Sequence, residues 1–217
     1  MIHTQPTSIP YNTIIHGDCI AEMAKFPASR IDLVVTDPPY ITGYKDRTGR
    51  TVAGDDNADW LEPAFAQMHR VLKRDAFCIS FYGWPKADLF IQAWRKAGFR
   101  LGGHIVFRKR YGSKNAFLQY RHELAYLLIK GNPGFPAAPL PDVLDWTYTG
   151  NRLHPTQKPL GILKPLIETF SQPGDTVLDS FAGSGSTLAA AAQLGRRYIG
   201  IELDAAHHRT ATDRLKE

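Results

Sequence analysis

Short apolar runs rich in β-branched residues alternate along the chain with longer stretches of helical period. Runs of this kind are typical of buried strands, and their alternation with helices is typical of βαβ units. The pattern predicts an α/β fold, a doubly wound and mostly parallel seven-stranded sheet with helices on both faces. The predicted strands are Asn12–His16, Ile31–Thr36, Ala76–Tyr82, Leu101–Phe107, Leu124–Ile129, Thr176–Ser180 and Tyr198–Ile201.

Helical spacing is clearest after the second strand, where Leu61, Phe65, Met68 and Leu72 recur four, three and four residues apart. This spacing places the side chains on one helix face, where they would join the core. The connection 108–120 lacks a helical period, so the fourth and fifth strands are predicted to form an antiparallel pair at one sheet edge. Further helices are predicted for Lys86–Lys96, which Gly98 stops, for Leu160–Phe170 and for Ser186–Leu194.

Length and composition indicate the class of protein. The 217 residues, 43% of them hydrophobic, suit one globular domain, which we expect to span residues 1–217. The sequence lacks a signal-peptide pattern at its start and any apolar run near the roughly 18 residues that span a bilayer. Cys19 and Cys78 form no CxxC pair, so we expect reduced thiols and a cytoplasmic location.

Positive charge is concentrated in one part of the chain. Residues 100–130 carry seven basic side chains and one acid, which gives this window a charge of +6. The whole chain has a net charge of +5, so the remainder sums to about −1. Basic residues interleaved with Tyr111, Phe117 and Tyr120 favour a polyanion with stackable bases, although an ordinary solvated loop has the same composition. With the long loop 41–58, this window supplies the candidate nucleic-acid-binding residues Lys45, Arg47, Arg108, Lys109, Arg110, Lys114 and Arg121.

The second predicted strand runs directly into Asp37-Pro38-Pro39-Tyr40. Open α/β sheets place their ligands at the carboxyl ends of parallel strands. The prolines restrict the backbone, so the Asp37 carboxylate and the Pro38 carbonyl would form a stiff pair of acceptors suited to an NH2 group. Tyr40 could stack on the ring that carries the amine. The alternative is a simple strand stop, since Asp and Pro commonly end strands.

A glycine-rich turn follows the sixth predicted strand, in the stretch Asp179–Thr187. Gly183 and Gly185 permit close backbone approach, and the helix start offers N–H groups to a ligand. The stretch is not a P-loop, because the lysine is missing, and Leu188 replaces the third glycine of a dinucleotide site. Glu202 ends the next strand, where it could accept hydrogen bonds from ribose hydroxyls. These features indicate a nucleoside ligand without a pyrophosphate.

A third segment, His154–Pro159, precedes the predicted helix Leu160–Phe170. The Thr156 hydroxyl and the Lys158 ammonium could hold the carboxylate of an amino-acid moiety. Helix capping by Thr156 with a solvated Lys158 is the alternative.

Together the three segments resemble the β class of bacterial and phage DNA amino-methyltransferases. Asp37–Tyr40 matches the catalytic motif and Phe181–Gly185 the cofactor motif, and His154–Pro159 matches the motif that precedes the latter in this class. In glutamine and ribosomal methyltransferases with a related tetrapeptide the glycine turn usually comes first, so the permuted order points to DNA. The resemblance covers almost the whole chain and implies a Rossmann-like fold that binds S-adenosyl-L-methionine.

Residue roles follow from the resemblance. Residues 16–19 look like the element that reaches the adenine of the cofactor, although a Gly-Asp turn after a strand is also ordinary turn chemistry. The implied catalytic residues are Asp37, Pro38, Pro39 and Tyr40, and the implied cofactor-binding residues are Asp18, Cys19, Asp37, Thr156, Lys158, Asp179, Phe181, Ala182, Gly183, Gly185, Ser186, Thr187 and Glu202.

The resemblance implies methyl transfer to the N6 of adenine in double-stranded DNA, with the target base flipped out of the duplex. Cytosine N4 is the alternative target, although Ser in place of Asp37 is commoner in that group. A nucleic-acid-binding relative without activity is a further alternative. No metal is expected, because the chain has no HExxH motif or cysteine cluster.

The segment 131–153, which corresponds to the target-recognition region, is short in this chain. It holds too few residues to bury a core of its own. We therefore expect short or relaxed sequence specificity, or specificity shared with the loop 41–58 and a second subunit of a homodimer. Restriction–modification is the setting that the resemblance implies, with an orphan methyltransferase that has no partner endonuclease as the alternative.

Overall fold

The computed structural model describes residues 9–44, 49, 51–113, 117–146 and 157–216. Eight strands form one sheet in the order β1-β8-β7-β2-β3-β5-β4-β6. Their bounds are β1 Thr13–His16, β2 Ile31–Thr36, β3 Leu72–Tyr82, β4 Arg100–Ser113, β5 Tyr120–Lys130, β6 Val143–Asp145, β7 Thr176–Asp179 and β8 Arg197–Glu202. The α/β fold and the mostly parallel sheet predicted from the sequence are confirmed, but the sheet has eight strands rather than the predicted seven, because β6 is only three residues long and shows no readable pattern.

The directions of β4, β5 and β6 determine on which side of the sheet their connections lie. Among the paired strands described, only β5 runs antiparallel to its neighbours β3 and β4, as expected for the fourth and fifth predicted strands. The expectation that this pair forms the sheet edge is wrong, because β6 pairs parallel to β4 and takes the edge position. The hairpin that joins β4 to β5 therefore projects at the carboxyl ends of the parallel strands.

Within the described residues, six α-helices connect and cover the strands. The helices predicted to begin at Leu61, Lys86, Leu160 and Ser186 are confirmed, with two corrections: Lys86 ends a 3₁₀ turn before α3, and Leu72 is extended and begins β3, although its side chain is buried. The helices are α1 Cys19–Ala24, α2 Leu61–Val71, α3 Ala87–Lys96, α4 Leu160–Phe170, α5 Ser186–Gln193 and α6 Ala205–Arg214, and a 3₁₀ turn Trp84–Lys86 precedes α3.

Hydrophobic layers lie on both faces of the sheet. On one face the buried rings of Phe65, Phe90 and Trp94 come from α2 and α3. On the other face Leu166 of α4 and Ala190 of α5 pack against the strands. Each fully buried large side chain contributes about 1.5–3 kcal/mol, so these layers hold the strands that carry the site. None of the helices described has the length and apolar character needed to cross a bilayer.

Candidate active site

A cleft opens at the carboxyl ends of the adjacent strands β2 and β7. These strands pair in parallel, with Val34 opposite Leu178, so the segments that follow them meet at one edge. The Thr36 hydroxyl donates to Asp179 Oδ1 at 3.1 Å, across 143 residues of sequence. The cavity between these segments has a volume of about 260 Å³.

Most residues predicted for catalysis and cofactor binding line this cleft. They come from the N-terminal and C-terminal parts of the chain, which meet because β2 lies next to β7 and β1 lies next to β8 in the sheet. Thr156 lies outside the described residues, and Gly185, the N-cap of α5, is not among the residues that line the cleft. The predicted residues that line the cleft are Asp18, Cys19, Asp37, Pro38, Pro39, Tyr40, Lys158, Asp179, Phe181, Ala182, Gly183, Ser186, Thr187 and Glu202.

Asp37 receives hydrogen bonds on both carboxylate oxygens. The Tyr40 hydroxyl donates to Oδ1 at 2.8 Å, and the Lys158 ammonium donates to Oδ2 at 2.5 Å. Burial raises the pKa of Asp37 above its ordinary value, while the charge and hydrogen bond of Lys158 lower it in part. Burial and the Asp37 charge raise the pKa of Tyr40, so its hydroxyl stays protonated and donates.

Lys158 lies deep in the site, with 7% of the residue exposed. Its ammonium lies 5.0 Å from the ring centroid of Phe81 and 5.5 Å from that of Tyr40, in addition to its bond with Asp37. The solvated lysine considered as an alternative from sequence is therefore wrong. An ammonium has three donors, so the bond to Asp37 leaves donors for a ligand carboxylate.

The glycine turn has the local geometry that its sequence suggests. Gly183 and Gly185 have φ values of 52° and 74°, in the left-handed region that favours glycine. Asp179 Oδ1 accepts from the Phe181 backbone N–H at 3.1 Å and so anchors the start of the turn. Burial raises the pKa of Asp179 to about 7, although hydrogen bonds to its carboxylate oppose this rise.

Glu202, at the end of β8, accepts hydrogen bonds that hold the glycine turn in place. Its Oε2 accepts from the Gly183 backbone N–H at 2.7 Å, and its Oε1 accepts from the Asp204 backbone N–H at 2.8 Å. Burial raises the pKa of Glu202, and these two backbone bonds lower it in part. An ionised carboxylate has about four lone-pair positions, so Glu202 keeps acceptor capacity toward the cleft.

Asp18 and Cys19, which follow β1, also line the cleft. Asp18 Oδ1 accepts from the Ala21 N–H at 2.9 Å, so this side chain caps α1 as well as facing the cleft. Burial, followed by the nearby Asp18 charge, raises the pKa of Cys19 to about 12, so the thiol stays protonated.

The structure adds a loop that sequence reasoning assigned only as functional in size. Asp55, 3% exposed, accepts from the Thr42 backbone and hydroxyl and from the Tyr44 N–H, which closes the loop on itself. Trp60 donates to the Gly54 carbonyl at 2.8 Å. Its ring packs edge-on against Phe181 at 5.1 Å. The acidic and glycine-rich composition was the available signal, but the choice of Asp55 and Trp60 depends on the path of the loop.

The candidate nucleic-acid residues differ in their accessibility. Arg108 pairs with Asp145, with 68% of its side chain exposed, and Arg121 donates to the Arg110 carbonyl. Lys109 forms an ion pair with Glu123 and has 16% of its side chain exposed, which makes it a poor phosphate ligand. Lys45, Arg47 and Lys114 lie outside the described residues. Lys130, counted in the basic window, donates to the His69 and Leu72 carbonyls and so has a structural role.

The chemistry of the lining fits a nucleoside joined to an amino acid. Glu202 supplies an acceptor suited to ribose hydroxyls, the glycine turn supplies close backbone approach, and Lys158 supplies a cation suited to a carboxylate. In the part of the chain that the structure describes, no group of three or more His, Cys, Asp or Glu side chains could hold a metal ion.

A family model described as DNA methylase, N6_N4_Mtase, matches residues 31–146 and 139–213. The chain is 57% identical over 201 residues to YubD of Escherichia coli (strain K12), named as a methylase, with 93% of this chain and 88% of that protein covered. It is 32% identical over 248 residues to the DNA adenine methyltransferase YhdJ of the same strain, with 94% and 82% covered.

Solved structures share the fold. The M1.HpyAVI complex with S-adenosylmethionine has a TM-score of 0.76 at 23% identity, with 94% of this chain and 99% of that chain covered. TTHA0409 of Thermus thermophilus, named as a DNA modification methylase and complexed with S-adenosyl-L-methionine, has a TM-score of 0.73 at 26% identity, with 94% and 92% covered. The cytosine-N4-specific PvuII DNA methyltransferase has a TM-score of 0.74 at 18% identity, with 96% and 93% covered.

The family model spans both motif regions, and the two Escherichia coli relatives match along nearly the whole chain. This chain therefore belongs to the N6/N4 DNA methylase family and is an S-adenosylmethionine-dependent DNA methyltransferase.

Proposed function

We propose that this enzyme methylates the N6 amino group of adenine in double-stranded DNA, with the target base flipped into the cleft beside Tyr40. The observation that carries the proposal is the Asp37 carboxylate, held by Tyr40 and Lys158 in the cavity that the glycine turn also lines. A stacked base cannot bring its amino nitrogen to a methyl donor, which is why flipping is part of the proposal.

Asp37 and the Pro38 carbonyl act as the two acceptors for the amino hydrogens. An aromatic amine is a poor nucleophile because its lone pair is delocalised into the ring. Two accepted hydrogen bonds favour tetrahedral geometry at nitrogen, which makes the lone pair available for attack. The cofactor supplies the activated methyl group when bound. Asp37 does not need to abstract a proton first, because the amine becomes acidic only as the new bond forms, and water can take the proton afterwards.

The remaining cleft residues bind the cofactor in this proposal. Glu202 accepts from the ribose, Asp18 and Cys19 reach the adenine ring, and Lys158 with Thr156 binds the carboxylate while Lys158 keeps its bond to Asp37. The turn and the start of α5 surround the centre of the ligand through Asp179, Phe181, Ala182, Gly183, Gly185, Ser186 and Thr187.

Support for adenine comes from two observations. The relative YhdJ, 32% identical, is named as a DNA adenine methyltransferase, and Asp37 opens the catalytic tetrapeptide where serine is commoner in the cytosine group. Cytosine N4 is the second candidate, since the N4-specific PvuII enzyme shares the fold. Reacting the enzyme with DNA, digesting the product and identifying the methylated nucleoside by mass spectrometry decides between them. N4-methylcytosine as the sole product would overturn the adenine proposal.

DNA is held, in this proposal, by the exposed arginines Arg108, Arg110 and Arg121 with Lys45, Arg47 and Lys114. Target recognition falls to the short segment 131–153 within a single domain. Residues 134–137 of this segment line a depression with Asp32 and Asp175 near the amino ends of β2 and β7. A homodimer would supply further contacts, and restriction–modification is the setting that we propose.

Asp37→Ala tests the catalytic assignment. We expect S-adenosylmethionine binding by calorimetry to persist and tritium transfer to DNA to be lost, because the acceptor for the amine is gone. Asp213→Ala is the control, since Asp213 of α6 also pairs with a lysine, Lys216, but its side chain is 74% exposed and it is not among the residues that line the cleft. Transfer by Asp37→Ala at the wild-type rate would reject the role of Asp37.

A further inference from the structure

Trp84 lies next to the active site at the same edge of the sheet. It follows β3 by two residues, after Gly83. A Cβ atom on Gly83 would lie only 2.8 Å from the Tyr40 Cβ, so the backbone before Trp84 abuts the catalytic tetrapeptide. Trp84 itself does not line the cleft cavity. Trp84 is therefore adjacent to the proposed position of the target base but outside the cavity that would hold that base.

The Trp84 ring is exposed and yet held in place. Half of the residue, 51%, is accessible, which is unusual for the largest apolar side chain. One ring face stacks on Tyr120 with centroids 5.1 Å apart and an interplanar angle of 24°. Pro85 restricts the backbone that follows. A pre-ordered aromatic face loses little conformational entropy when a planar ligand stacks on it.

Strands β4 and β5 place His122 and Arg108 next to this stacked pair along the sheet. His122 packs edge-on against Tyr120 at 6.4 Å, and Arg108 is the cross-strand neighbour of His122. Because alternate residues of a strand share a face, Arg108 lies on the face of β4 that continues from this pair. Leu118, 63% exposed, lies two residues before Tyr120 in the chain. A flat aromatic surface beside arginine complements a nucleic acid, which offers both bases and phosphates.

We propose that the exposed face of Trp84 binds a base of the DNA adjacent to the flipped target base. This inference deepens the proposed function and rests on it. Flipping removes the stacking partner of the neighbouring bases, and an aromatic ring at the rim of the cleft replaces that partner. Trp84 and Tyr120 then form a stacking platform that holds the distorted duplex in position.

Trp84→Ala and Trp84→Phe, compared with wild type, test the platform. Loss of one base stack weakens binding of a target duplex by about 10-fold, or about 1.4 kcal/mol, in Trp84→Ala. Trp84→Phe keeps a ring and is expected to stay within about 3-fold of wild type. The control is Tyr11→Ala, which removes a partly exposed ring just before β1, at the amino ends of the parallel strands, and is expected to leave DNA binding unchanged. The measurements are fluorescence anisotropy for DNA, calorimetry for S-adenosylmethionine, and KM and kcat.

A fluorescent base analogue locates the contact. With 2-aminopurine beside the target position, wild type is expected to quench the analogue, and Trp84→Ala is expected to lose that quenching. Unchanged DNA affinity and quenching in Trp84→Ala, alongside methylation by wild type, would overturn the platform. A loss of DNA binding that sedimentation traces to dissociation of a dimer would also overturn it. Absence of any DNA methylation by wild type would instead reject the proposed function.

Discussion

Replacing Lys158 with methionine removes the cation that contacts Asp37 while keeping most of the side-chain volume. The two side chains are 8% and 20% exposed, so the pair is largely shielded from water. Removing one partner of a buried ion pair typically costs about 3–5 kcal/mol, because the other charge stays poorly solvated. Since a fifth of the Asp37 side chain reaches solvent, we expect the lower end, about 3 kcal/mol, in the free energy of unfolding near pH 8.

The same substitution changes the pH dependence of methyl transfer. Burial raises the pKa of Asp37, and Lys158 is the largest influence that lowers it, so the pKa rises further in Lys158→Met. The ionised carboxylate is the acceptor in the proposed reaction. Activity is therefore present above this pKa and lost as the pH falls through it, and the acidic limb of the profile moves to higher pH in the variant.

Single-turnover transfer of a tritiated methyl group, followed from about pH 6 to about pH 9, measures this shift. We expect transfer at pH 7 to slow by at least about 10-fold, or about 1.4 kcal/mol in activation free energy, with partial recovery at alkaline pH. Saturating S-adenosylmethionine separates this effect from weaker cofactor binding.

Lys73→Met is the matched control for Lys158→Met. Lys73 Nζ lies 2.5 Å from Asp32, but 46% of the Lys73 side chain is exposed, and Asp32, whose side chain is 14% exposed, also accepts from the Thr176 N–H. Exposed pairs contribute about 0–1 kcal/mol, so stability and pH profile should stay near wild type. Superimposable profiles for Lys158→Met and wild type would show that Lys158 does not control Asp37.

Two further substitutions test the packing and the charge of the site. Gly83→Ala should lower kcat by displacing Tyr40, whereas Gly103→Ala in β4, where a Cβ meets nothing within 4 Å, should leave activity unchanged in the same assay. Asp179→Asn should weaken the pH dependence of the free energy of unfolding. In the folded protein the pKa of Asp179 is raised to about 7, against an ordinary value of 3.8. The protonated carboxyl therefore stabilises the fold below about pH 4, and this stabilisation is lost as the pH rises through about 7. Denaturant unfolding should show that wild type loses up to about 1.4 kcal/mol per pH unit in this window relative to the variant.

Local patterns in the sequence were sufficient to predict most of the helices and strands and to find the Asp37–Tyr40 and glycine-turn motifs. Helix Leu61–Val71 follows from the helical spacing of its apolar side chains and strand Ile31–Thr36 from a short apolar run, and both signals depend only on near neighbours in the chain. The positions of Asp37 and of the glycine turn at strand ends place both at the ligand-binding edge, because parallel strands share that edge. The three-residue strand β6 is too short to have a readable period, and so the sequence did not predict it.

Which side chains meet depended on the folded chain. The contact between Lys158 and Asp37 joins residues 121 positions apart, and it replaces the solvated lysine that local chemistry allows. Asp55, Trp60 and the pair of Trp84 and Tyr120 gain their roles from loop paths and strand order. Periodicity reports which face a residue occupies but not which distant element packs on that face. The sequence was therefore enough to predict which functional groups lie at the carboxyl ends of the strands. Long-range packing determined which of those groups contact each other.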